Sequence, residues 1–163
     1  MIKCILIDSN IWYHAYISSE KEDFQELHSI AKDFLLSKLA DNTITIAITS
    51  YQMVEIMELL RKGTVEKEQR KELYESFMSE KFLRVEIAID NVKACFYKSL
   101  ASDIHIYDYL VAIPLHGIIS EIYTADDHFQ HDDFKAIALV TNPLSPWISR
   151  EGKNPYRAMT EGS

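Results

Sequence analysis

Hydrophobic positions along the chain follow two periods. Residues 2–7 hold five Ile, Leu or Cys in six positions and are cut off by Asp8, the pattern of a central parallel strand buried on both faces. Thr43 to Ile48 alternates with period two and is rich in β-branched residues, which predicts a second strand. Phe82–Ile87, Glu121–Thr124 and Ala136–Val140 predict three more. Between them the period changes. A short helix is expected over 11–18, and Asp23 to Ala40 carries a helical stripe of Phe24, Leu27, Ala31, Phe34, Leu35 and Leu39. Thr49 and Gln52 form a capping box that opens a helix through Met53, Val54, Met57 and Leu60, ending near Gly63. Thr64 is expected to cap a helix reaching about Glu80, and Asp90 one that turns Val92, Cys95, Phe96 and Leu100 inward. Ser102 or Asp103 should cap the next, through Ile106, Leu110, Val111 and Ile113, with Pro114 bending or ending it. A helical turn is expected from Asp126 to about His131.

Strands alternating with single or paired helices imply an α/β fold with a mostly parallel sheet. No linker divides the chain. Residues 1–141 read as one domain, and 142–163, with Pro143, Pro146, Gly152 and Pro155, as a strap fading into a tail. The length of 163 residues, 47% hydrophobic and 26% charged, suits a single domain with a sizeable core. Cys4 and Cys95 occupy apolar positions without ligand spacing and are expected to be reduced thiols. No segment reaches the ~18 uninterrupted apolar residues of a membrane span, and the first apolar run is too short for a secretory signal; the expected location is the cytoplasm.

The formal charge of −8 opposes simple binding to nucleic acid, whose phosphates call for Lys and Arg. Carboxylates that hold divalent cations would account for part of the excess. The run Arg61, Lys62, Lys67, Arg70 and Lys71 is either a solvated helix face or a path for substrate.

Four acids fall where an open α/β sheet places its ligand crevice, beyond the carboxyl ends of the strands. Asp8 ends the first strand, Glu55 lies early in the helix after the second, and Asp126 lies just past the fourth. Asp108 sits within a helix made largely apolar by Ile104, Ile106, Leu110, Val111 and Ile113, where an isolated ionised carboxylate would be costly. No Arg or Lys lies between Lys98 and Lys135, so a bound metal is the natural partner, with a distant Lys or a capping role as alternatives. Mg²⁺ or Mn²⁺ favours such oxygen donors and could activate water for attack on a phosphate. The histidines form no ligand pattern. His128 and His131, three apart on a helical turn, could touch one metal, but a solvated face is the simpler reading.

At these residues the sequence resembles the PIN-domain family. Ile5-Leu6-Ile7-Asp8-Ser9-Asn10 is similar to its opening strand and acid, Ile106-Tyr107-Asp108-Tyr109-Leu110-Val111-Ala112 to its third acidic motif, and Thr124-Ala125-Asp126-Asp127-His128-Phe129 to its closing Thr-x-Asp-x-x-Phe element. Glu55 fits the second acid. The resemblance implies a three-layer α/β sandwich with a five-stranded, mostly parallel sheet and a Mg²⁺- or Mn²⁺-dependent ribonuclease activity. Asp8, Glu55, Asp108 and Asp126 would be catalytic and metal-binding, with Ser9, Asn10, Thr124 and Asp127 in support. Small members similar to the VapC type further imply an RNA substrate, an antitoxin partner and a homodimer. Two rivals differ in kind. A haloacid-dehalogenase-type phosphatase requires a second acid two residues after Asp8, where this chain has Asn10. A PIN-like module that binds RNA or protein without cutting would need none of the four acids.

Overall fold

The computed structural model describes residues 2–18, 22–145 and 147–148; of the expected tail, 146 and 149–163 lie outside the described residues. Five strands, β1 (Lys3–Ile7), β2 (Ile44–Thr49), β3 (Phe82–Val85), β4 (Glu121–Tyr123) and β5 (Leu139–Thr141), form one sheet. Its order is β3-β2-β1-β4-β5, and every neighbouring pair is parallel. Among the described residues seven α-helices complete it: α1 (Ser9–Tyr16), α2 (Glu22–Ala40), α3 (Ser50–Lys62), α4 (Lys67–Phe77), α5 (Ile89–Ser102), α6 (Ile106–Ala112) and α7 (Asp132–Lys135). The α/β fold with a parallel sheet expected from the alternating periods, and the five-stranded three-layer sandwich implied by the family resemblance, are both observed.

The period-two geometry of β1 splits the core. Ile5 and Ile7 join a cluster with Ile11, Trp12, Leu27, Ala31, Leu35, Ile56, Leu60, Leu73 and Phe77, the layer of α1 to α4. Leu6, between them, faces the other way into a cluster with Cys95, Tyr109, Val111, Phe129 and Phe134, the layer of α5 to α7. A strand buried on both faces must be apolar at every position, which is why the opening run is continuous.

Several ends differ from the sequence expectation, each because a backbone group is satisfied elsewhere. Thr64 has φ +60° and closes α3, with Thr64 N–H on Arg61 O and Val65 N–H on Leu60 O; α4 begins only at Lys67, after Glu66. Asp90 lies in the first turn of α5, and Asn91 instead accepts the Ala88 N–H; of the side chains expected inward on this helix Cys95 is buried, whereas Val92, Phe96 and Leu100 are exposed, because α5 covers the sheet with a narrower face than its apolar stripe. Asp103 (φ +61°) ends α5 in the left-handed region, so Ser102 and Asp103 belong to that helix end and α6 starts after His105. Thr49 does cap α3 through Gln52 N–H, but the Gln52 side chain reaches Ile7 O rather than returning to the cap. Pro114 ends α6 in a 3-10 turn over Ile113–Leu115. The last strand starts at Leu139 because Ala136 and Ala138 donate to Asp132 O and Phe134 O, closing α7. Cys4 and Cys95 are free thiols, and Cys95 is pushed up to about 11 by burial. Among the described residues no helix is long and apolar enough to cross a membrane.

His14 of α1 is 7% exposed. Burial, with the neighbouring His28 adding repulsion, lowers its pKa from 6.5 to about 4. Between those values the unfolded chain binds the proton and the folded chain does not, so stability falls as pH drops from 7 towards 4. Urea unfolding at pH 7 and pH 5 should show the wild type losing on the order of 1–2 kcal/mol more than His14→Gln. Equal losses in the two proteins would refute this assignment.

Candidate functional site

The chain proceeds from β1 outward to β2 and β3, then returns to place β4 on the other side of β1. Strand order therefore reverses between β1 and β4, and the crevice of an open parallel sheet lies at the carboxyl ends of such a pair. Asp8 and Asp126 follow these two strands.

Asp8 is 2% exposed and caps α1, its Oδ1 accepting from Ser9 N–H at 2.8 Å. Its Oδ2 accepts from the Thr124 hydroxyl at 2.8 Å, and that hydroxyl oxygen accepts from Asp126 N–H at 3.0 Å. A single buried threonine thus ties the ends of both strands together. Asp126, also 2% exposed, caps a 3-10 turn over Asp127–Gln130, its Oδ1 accepting from His128 N–H at 3.0 Å. Its loop is held from outside by the chain after β5, where Ile148 N–H donates to Ala125 O and Asp127 N–H donates to Ile148 O.

Asp108 reaches the same place from the first turn of α6, and it too is 2% exposed. Its Oδ2 lies 2.9 Å from Nδ1 of His128, which is 3.8 Å from Asp126 Oδ1. One ligand atom from each of Asp108, Asp126 and His128 lies within 4.8 Å of the others. Burial opposes the charged form of His128, but the Asp108 hydrogen bond and the charges of Asp126, Asp108 and Asp127 prevail and raise its pKa.

Neither Asp8 nor Glu55 belongs to that group of three. Glu55 Oε2 accepts from the Tyr51 hydroxyl at 2.7 Å, and the Tyr51 ring stacks on Tyr107, next to Asp108, at 5.6 Å and 11°. Through Tyr51, Glu55 is linked to α6. Among the supporting positions, Thr124 makes the bridge described, and Ser9 supplies its backbone N–H to Asp8. Ser9 Oγ, Asn10 Oδ1, Gln52 Oε1 and Asp127 Oδ1 are buried without hydrogen-bond partners among the described residues. Unsatisfied buried oxygens are rare in proteins and point to water or an ion. These four belong to residues that flank Asp8 and Asp126 or touch the end of β1.

The sequence favours a solvated face for His128 and His131 over a shared metal contact, and the structure separates the two, bringing His128 to the acids. Of the two histidines considered, His131 is the solvated one; it caps α7 and accepts from Asp133 N–H at 3.1 Å. The 3-10 turn opened by Asp126 carries His128 back over the acids instead. The available signal was the Asx-type cap, which draws the backbone two residues on towards the capping carboxylate. Also unforeseen was the clamp on Ile7 O, which accepts from both Trp12 Nε1 at 3.1 Å and Gln52 Nε2 at 2.7 Å. It fixes the last carbonyl before Asp8.

At the opposite, amino end of β4, Glu121 is buried but pairs with Lys3 and accepts from Thr141 Oγ1. That is how this sheet accommodates a structural carboxylate. The acids at the carboxyl end are instead gathered beside one another and an imidazole.

No protein-family profile and no curated protein sequence matches the chain. One chain of the crystal structure of VapBC2 from Rickettsia felis, bound to a DNA fragment from its promoter, superposes with a TM-score of 0.53 at 16% identity, covering 85% of this chain and 98% of that one. The fold is therefore PIN-like, as the opening and closing motifs imply.

Thr124→Val keeps the shape but strands the buried Asp126 N–H and removes a donor from Asp8. Urea unfolding should register a loss of about 1–3 kcal/mol; an unchanged midpoint would contradict the bridging role.

Proposed function

We propose that the protein is a divalent-metal-dependent endoribonuclease whose centre lies at the carboxyl ends of β1 and β4. The observation that carries this reading is the convergence of Asp108, Asp126 and His128, two acids each 2% exposed with an imidazole between them, at the switch point of a PIN-like sheet. The donor set fits Mg²⁺ or Mn²⁺, and the unpartnered oxygens of Ser9, Asn10 and Asp127, which adjoin Asp8 and Asp126 in the chain, suit the waters that such ions retain. A bound cation would supply charge neutralisation on a scissile phosphate and a water of lowered pKa.

The chain's own residues do the rest. Asp8 and Asp126 are held in fixed orientation by Thr124, and Asp108 is set by α6. Glu55, oriented by the Tyr51 hydroxyl, completes the acidic constellation from α3. Tyr107 is 54% exposed with one face covered by Tyr51, leaving the other for an unpaired base, the preferred mode of recognition for single-stranded RNA. This apolar contact offsets part of the repulsion expected from a chain of charge −8.

The partner readings rest on surfaces and on likeness. α5 exposes Ile89, Val92, Phe96 and Leu100, spaced as one helix face, and we assign this stripe to a homodimer contact. The similarity to a VapBC structure supports an antitoxin partner and a toxin role. Growth arrest on expression of the chain alone, relieved by Asp8→Asn, would support that role; harmless expression of an active nuclease would exclude it.

Incubation of a panel of structured and single-stranded RNAs with Mn²⁺, Mg²⁺ or EDTA tests the activity. Cleavage should require the metal and should fall to background in Asp8→Asn, Asp108→Asn and Asp126→Asn proteins of unchanged circular dichroism. Tyr107→Ala, in the Asp8→Asn background that blocks cutting, should weaken binding of single-stranded RNA by about 1–3 kcal/mol. Cleavage persisting in EDTA or in the variants would point to another site. Binding without cleavage by the wild type would establish the non-cutting module instead. Sedimentation equilibrium should give a dimer that Phe96→Glu converts to monomer; a monomeric wild type would remove the assignment of the α5 face.

A further inference from the structure

We infer that His128 is itself a metal ligand, making this a mixed carboxylate–imidazole centre that takes Mn²⁺ in preference to Mg²⁺. The inference rests on the reading of the acidic cluster as a metal centre and goes beyond it by naming the donor that selects the ion.

Three observations carry it. A ring nitrogen of His128 faces both carboxylates, 2.9 Å from Asp108 and 3.8 Å from Asp126, within a group whose ligand atoms all lie within 4.8 Å. The side chain is only 17% exposed and its ring lies 5.7 Å from that of His105, so it has little freedom to swing into solvent. Its backbone is fixed by the acid it would share the ion with, since His128 N–H donates to Asp126 Oδ1 at 3.0 Å. Position and orientation are therefore set before any ion arrives.

The selectivity follows from donor chemistry. Mg²⁺ demands a near-octahedral shell of oxygens and gives up water reluctantly. Imidazole nitrogen suits transition-metal ions better, and carboxylates suit both Mg²⁺ and Mn²⁺. Two carboxylates with one imidazole therefore keep a site that Mn²⁺ can occupy while removing one oxygen that Mg²⁺ would prefer. Of the two ions that nuclease chemistry of this kind uses, Mn²⁺ is the one this donor set favours.

The test is binding of Mn²⁺ alone and Mg²⁺ alone to the whole chain, by titration calorimetry, for wild type, His128→Asp, His128→Asn and the control His131→Gln. Electron spin-echo spectroscopy of bound Mn²⁺ provides a second readout. The wild type should favour Mn²⁺, and His128→Asp, which restores an all-oxygen set, should reduce the Mn²⁺/Mg²⁺ affinity ratio by about tenfold or more. His131→Gln should leave the ratio unchanged. Spin-echo spectra should show coupling to a directly bound nitrogen in the wild type that is absent in His128→Asn. If His128→Asp does not fold, the wild-type nitrogen coupling decides the question alone. Mn²⁺ bound without nitrogen coupling, at an unchanged affinity ratio in the variants, would overturn the inference and reduce His128 to a hydrogen-bond partner of Asp108, leaving the metal centre standing. Failure of the wild type to bind either ion would overturn both the inference and the reading on which it rests.

Discussion

Asp8, Asp108 and Asp126 are each only 2% exposed and gather at the carboxyl ends of two adjacent strands. Removing a carboxylate from water costs several kcal/mol even after relaxation, and like charges side by side add to that cost. The surrounding architecture offsets it in identifiable ways. Asp8 and Asp126 each cap a helical segment, where backbone N–H groups and the helix dipole favour negative charge. The Thr124 hydroxyl donates to Asp8 while its oxygen accepts from Asp126 N–H, so one side chain serves both acids. His128 supplies a polar partner for Asp108. A bound divalent cation would offset the charge of these groups together.

The fold explains why the acids can meet there and nowhere else along the sheet. Reversal of strand order between β1 and β4 opens a crevice at their carboxyl ends, and α1 and α6 approach it from opposite layers. Ile7 O, turned towards Trp12 and Gln52, anchors the chain before Asp8 to α1 and α3. On the other side, the Ile148 backbone grips the loop that carries Asp126. The site is thus built from both ends of the chain. This accounts for the sequence separation of 116 between Asp8 and its partner Thr124.

What could be read from the sequence is what depends on nearest neighbours along one element. The continuous apolar run before Asp8 marked a doubly buried strand, and the Thr-x-Asp-x-x-Phe segment marked the turn after β4. An acid in the apolar helix 106–113 marked a buried charge in need of a partner. Helix ends were less legible because several residue types compete to cap them. Thr64, Asp90, Ser102 and Asp103 are all good caps in isolation, yet left-handed backbone at Thr64 and Asp103, and Asn91 at α5, settled the boundaries differently. Contacts between distant elements left no local trace. The stacking of Tyr51 on Tyr107 that links Glu55 to α6 is one such contact, and the return of His128 to Asp108 is another.

The central claim is that the crevice between β1 and β4 holds a divalent cation. Anomalous diffraction from crystals soaked in Mn²⁺ tests it most directly. The account predicts an anomalous peak bounded by Asp108, Asp126 and His128. A well-ordered crevice with no peak there, or a peak confined to surface carboxylates elsewhere, would contradict it.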